Sequence, residues 1–112
     1  MKKNNSLKLC LQAIEDKLGD NPVVLDMRKH NPFVDYYIIC GARNEANAEA
    51  ILHEAEEKCV KAEEEIHLLD RQKGSGWFLL EAGNVLLHIF YDGKREYYGL
   101  EELWKDLRIS VK

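Results

Sequence analysis

Leu7, Leu11, Ile14 and Leu18 recur at helical spacing behind Ser6, a residue type that favours helix starts. Gly19 followed by Pro22 supplies the stop, so the spacing predicts a helix over residues 6–18. Residues 23–27 read as a short strand and Asn31-Pro32 as a turn. Residues 34–40, rich in β-branched and aromatic side chains, form a second strand ending at Gly41. From Asn44, the expected N-cap, to Ala62, the positions Ala48, Ile51, Leu52, Ala55, Cys59 and Ala62 line one face of a long helix. Glu49, Glu56, Glu57 and Glu64 point elsewhere. Residues 66–69 are a third strand and residues 73–76 a glycine-containing loop. Residues 77–82 and 85–91 are two more strands, joined by Gly83-Asn84, which suits a tight hairpin of the primed type. A last helix carries Tyr97, Leu100, Leu103 and Trp104.

This order, α-β-β-α-β-β-β-α, predicts a mixed five-stranded sheet flanked by helices, in the α+β or mixed α/β class. The helix between the second and third strands acts as a crossover that places some strands in parallel, while the Gly83 hairpin is antiparallel. The 112 residues suit one domain, residues 1–112. Hydrophobic residues at 46% and charged residues at 32% exclude collagen, coiled coil and wholesale disorder. A net charge of -4 argues against a general nucleic-acid binder and suits a positively charged partner.

Cys10, Cys40 and Cys59 are odd in number and widely spaced, with no CxxC pair. They read as free buried thiols in a reducing compartment. Met1 to Asn5 are basic but precede no long apolar run, so neither a signal peptide nor a membrane span is expected. The expected location is the cytoplasm.

Candidate chemistry is sparse. His53 stands three and four residues from Glu56 and Glu57 on the long helix, but no HxxxH, HExxH or CxxC accompanies it, so a solvated surface cluster is expected rather than a metal site. Cys40 and Cys59 sit in apolar runs and read as core residues rather than nucleophiles. Gly41-Ala42-Arg43-Asn44 lacks the glycines of a phosphate loop and reads as a strand-to-helix turn. His88 shares a strand face with Leu86 and Phe90. Residues 95–104 are dense in Tyr, Trp, Arg and carboxylates, the residue types that anchor interfaces. An acidic helix bearing Glu45, Glu49, Glu56, Glu57, Glu63 and Glu64 offers a second docking surface for a basic target, although such a run is more often a solvated face.

Three stretches together carry a resemblance. They are Asp35-Tyr36-Tyr37-Ile38-Ile39-Cys40-Gly41, the run from Trp77 through Gly83-Asn84-Val85 to His88-Ile89-Phe90, and Arg95-Glu96-Tyr97-Tyr98-Gly99-Leu100-Glu101-Glu102-Leu103-Trp104. The chain resembles the bacterial ribosomal silencing factors, related to the plant iojap protein. The resemblance implies a mixed sheet flanked by helices, similar to nucleotidyltransferases, and a translation repressor that is not an enzyme and needs no cofactor. It implies binding to the large ribosomal subunit through ribosomal protein L-fourteen, which sterically blocks joining of the small subunit, and homodimers. Carried onto this chain, the implied partner-binding residues are Trp77, Glu81, Asn84, His88, Arg95, Tyr98, Glu101 and Trp104. The family commonly has Asp where this chain has Glu81 and Asn84. The competing expectation is a phosphoryl-transfer enzyme of the nucleotidyltransferase type with a divalent metal. Against it, Ala42 and Arg43 replace the serine of the glycine-serine turn, and no Asp-x-Asp follows.

Overall fold

The computed structural model describes residues 5–110; the basic start expected at Met1 to Asn4 lies outside them. Helix α1 (Ser6–Asp16) leads into strands β1 (Asp20–Asp26) and β2 (Tyr36–Gly41). Helix α2 (Glu45–Lys61) then crosses to β3 (Ile66–Asp70), β4 (Trp77–Ala82) and β5 (Val85–Phe90). Two short helices, α3 (Lys94–Tyr98) and α4 (Leu100–Leu103), a 3-10 turn (Lys105–Leu107) and β6 (Arg108–Ile109) end the chain. The sheet has six strands, not the expected five, in the order β3-β4-β5-β2-β1-β6. The additional strand is two residues long, too short to carry an alternation, and it pairs Val24 with Ile109 and Leu25 with Arg108.

The sheet is mixed, as expected. β2 runs parallel to β5, with Tyr36 opposite Val85 and Gly41 opposite Phe90, while every other pairing is antiparallel. α2 is the crossover that makes the parallel pair possible. Asn44 is its N-cap, its side chain accepting from the Asn47 N–H at 2.8 Å. This satisfies one of the donors that a helix start leaves free. Gly83 has φ +56° and opens the two-residue β4–β5 turn, the geometry of a primed hairpin.

Sheet alternation decides where the core sits. Phe78, Leu80 and Ala82 of β4, and Val85, Leu87 and Ile89 of β5, face α1 and α2. There they pack with Cys10, Ile14, Ile51, Leu52, Ala55 and Cys59. All three cysteines are buried and free, and burial pushes the Cys40 thiol up to about 12, so it is a core residue and no thiolate nucleophile. The opposite face holds a smaller cluster of Val23, Leu25, Met27, Ile39 and Phe90, roofed by Leu100, Trp104 and Leu107.

Three local expectations are corrected. Ser6 is not the N-cap: Asn5 precedes the helix, and Ser6, in the first turn, donates its hydroxyl to Glu64 Oε1 at 2.6 Å. Glu64 is therefore buried, not on the solvated side of α2. The last helix is broken at Gly99, whose φ of +59° separates α3 from α4. Among the described residues, no helix is long and apolar enough to cross a membrane.

Candidate functional site

β4 and β5 present Trp77, Leu79, Glu81, Leu86, His88 and Phe90 on the sheet face turned away from α1 and α2, by the same alternation that buries their neighbours. The C-terminal elements cover only the Phe90 end of this face. Leu79 and Leu86, in the middle of the sheet, belong to neither core cluster. Glu81 stands between them on the β4 side and makes no ion pair among the described residues.

Trp77 is the hub of an aromatic group. Its ring centroid lies 4.9 Å from Phe90, 4.7 Å from Tyr98 and 5.8 Å from His88. Aromatic pairs at these separations contribute beyond the area they bury. The indole N–H donates to His88 Nδ1 at 3.2 Å, and the Tyr37 ring lies 4.7 Å from the imidazole, tilted against it. Tyr98 is half exposed, and Tyr97 more so.

His88 is 3% exposed and carries no carboxylate neighbour; burial pulls its pKa from 6.5 down to about 3. The imidazole is therefore neutral at physiological pH. An unfolded chain would bind a proton near pH 6.5, the fold only near 3, so this group's stabilisation is complete above 6.5 and lost as pH falls toward 3. The slope reaches about 1.4 kcal/mol per pH unit. Urea midpoints at pH 7 and pH 5 should differ accordingly, and His88→Phe should remove this contribution to the difference.

Three of the eight implied residues come together, Trp77, His88 and Tyr98, and Glu81 shares their sheet face further along β4, opposite Leu86. Of the other four, Trp104 packs against the same small cluster as Trp77, while Arg95, Glu101 and Asn84 stand apart. Arg95 and Glu101 pair with each other in a bidentate ion pair, Nε to Oε1 at 2.8 Å and Nη2 to Oε2 at 3.1 Å. Arg95 also donates to the backbone oxygens of Asp20 and Asn21, at 3.0 and 2.6 Å. This guanidinium ties α3 and α4 to the start of β1. Arg95→Lys should cost about 1–3 kcal/mol of stability, because a point charge cannot reproduce the fork and would leave acceptors unmatched; thermal unfolding measures it. Asn84 sits at the hairpin end of the sheet, its amide donating to Asp35 Oδ2 at 3.0 Å. Trp104 packs in the smaller cluster, 5.7 Å from His30.

The residues that the motifs did not flag on this face are Leu79, Leu86 and Tyr37. Alternation with Trp77, His88 and Ile39 was the available signal. His53 pairs with Glu57 at 3.5 Å on the exposed side of α2, the solvated cluster expected there, and no group of three or more His, Cys, Asp or Glu side chains converges among the described residues.

The fold and this face define a small mixed-sheet α+β domain with one sheet face packed under helices and the other partly uncovered. The family profile described as "Ribosomal silencing factor during starvation" matches residues 1–112. The ribosomal silencing factor RsfS of Halalkalibacterium halodurans is 32% identical over 106 residues, covering 95% of this chain and 91% of that one. That of Bacillus subtilis is 28% identical over 110 residues, covering 98% and 93%. Among solved structures, a Chromobacterium violaceum protein superposes with a TM-score of 0.84 at 26% identity, covering 94% of this chain and 88% of that one. A Bacillus halodurans protein gives 0.82 at 29% identity, covering 97% and 100%. The chain belongs to the ribosomal silencing factor family.

Proposed function

We propose that this protein binds the large ribosomal subunit with the uncovered sheet face, docks on ribosomal protein L-fourteen, and blocks joining of the small subunit by occupying its place. Translation is thereby repressed without any reaction being catalysed. The observation that carries the reading is the Trp77–Tyr98–His88 group beside Leu79, Leu86 and Glu81, which makes no ion pair among the described residues. Aromatic anchors surrounded by polar groups are the usual centre of a protein interface. Glu81 and the net charge of -4 complement a basic ribosomal protein, by charge-assisted hydrogen bonds and by steering the encounter. Family membership and the names of the relatives, which state ribosomal silencing, support the same reading.

Arg95 and Glu101, bound to each other, serve this function by fixing α3 and α4, so that Tyr98 is held over Trp77. The homodimer implied by the family belongs to the same proposal: a second copy is one way to cover an aromatic face when no ribosome is present. The cytoplasm follows as the place of action. The test is gradient sedimentation of purified large and small subunits with and without the protein. Co-migration with the large subunit and depletion of the joined particle are expected. Protein that stays at the top of the gradient, with joining unaffected, overturns the proposal.

A further inference from the structure

His88 holds a buried polar atom that no group among the described residues satisfies. Trp77 Nε1–H donates to Nδ1, so Nδ1 is the acceptor and the ring proton of the neutral imidazole is on Nε2. Nε2, on the other side of the ring, is buried and has no hydrogen-bond partner among the described residues. Leaving a donor in this state carries a penalty, and such exceptions are few in native proteins. Phe90 of the same core and Tyr37 flank the ring, so no neighbouring side chain is placed to relieve it.

We infer that His88 is a preset hydrogen-bond donor for the docking partner, and that its Nε2–H receives a neutral carbonyl oxygen, from backbone or a side-chain amide, when the partner covers the face. The inference deepens the proposed function and rests on the sheet face being the one that docks. The acceptor is neutral for two reasons. A carboxylate brought among Tyr37, Trp77 and Phe90 would be an anion desolvated for a single hydrogen bond, which is costly. Glu81 on the same face, and the net charge of -4, oppose it as well. Trp77 then has a divided role. Its indole N–H is engaged inside the fold, so it offers the partner ring surface alone while fixing which imidazole nitrogen carries the proton. Because Nε2 is buried, the surrounding rings must change rotamer as the carbonyl enters, a change common at interfaces whose backbone hardly moves.

The experiment has two arms. In the first, nitrogen chemical shifts of the His88 ring are measured in the isolated, 15N-labelled protein at pH 7. The neutral Nε2–H pattern is expected; an Nδ1–H pattern, or a protonated ring, overturns the inference without reference to any partner. In the second, affinity for purified large subunits is compared among wild type, His88→Phe and His88→Gln, each first shown to be folded by its thermal transition. His88→Phe should weaken binding about tenfold, the worth of one unmatched hydrogen bond, and His88→Gln, which keeps an N–H donor, should recover part of the loss. Wild-type binding matched by His88→Phe overturns the role of His88 and leaves the proposed function standing. Failure of the wild type itself to bind overturns both.

Discussion

Gly83→Ala should lower the melting temperature by about 10–20 °C. A Cβ at this position would stand 2.3 Å from Ser6 Oγ and 2.9 Å from Glu64 Oε1. Those two atoms form the buried 2.6 Å hydrogen bond between the start of α1 and the segment after α2. Moving Ser6 aside leaves the Glu64 carboxylate buried without its partner, a cost of about 1–3 kcal/mol. The φ of +56° adds roughly 1 kcal/mol for any residue with a side chain. Together these approach half of what holds an ordinary small domain folded. A double variant, Ser6→Ala with Gly83→Ala, removes the atom in the way; its loss should be smaller than the sum of the two single losses. Melting curves of the three variants settle it: strict additivity would show that the methyl is accommodated elsewhere.

Trp77→Ala should weaken binding to the large subunit by at least about 30-fold, corresponding to roughly 2 kcal/mol for a central aromatic anchor. The ring touches Phe90, Tyr98 and His88, so its removal strips the face of its largest apolar surface and frees Tyr98 from its support. It also leaves His88 Nδ1 without a donor, so the imidazole is no longer held in one tautomer. Tyr98→Ala tests the same surface from the side of α3 and should cost a similar amount. The measurement is a pull-down with folded variants. Undiminished capture by both would remove Trp77 and Tyr98 from the interface while leaving the fold unaffected.

Most of the architecture is written in short-range patterns. The helix spacing in α1 and α2, the alternation in β4 and β5, the Asn44 cap and the Gly83 turn all rest on residues within a few positions of one another, and each is found in place. What stayed hidden depends on distant partners. Ser6 and Glu64 are 58 positions apart, and no local rule distinguishes a helix-capping serine from one that reaches across the core. β6 exists because Leu25 and Val24 offer it an edge, not because Arg108-Ile109 has strand character of its own.

The candidate site divides in the same way. The motif brought Trp77, Glu81, His88 and Tyr98 to notice; Trp77, His88 and Tyr98 do assemble, with Glu81 on the same sheet face. Arg95 and Glu101 stand in the same motif with the same interface-forming chemistry, yet only the folded chain places them against each other. Leu79 and Leu86 are ordinary strand leucines until the C-terminal helices are seen to stop short of them.

The parallel pairing of β2 with β5 has a consequence for how the chain is made. Tyr36 meets Val85 and Gly41 meets Phe90, each partner a fixed 49 positions further along. Closing so long a loop is entropically unfavourable until the intervening helix and strands are in place to be packed. During synthesis the two central strands can therefore join only after β5 has left the exit tunnel, when every residue up to Phe90 is outside it. The β1–β2 ladder must wait with both flanks unfilled, β2 for β5 and β1 for β6. The aromatic face, which needs Trp77, His88 and Tyr98 together, forms only after β5 and α3 have emerged, later than α1, β1, β2 and α2.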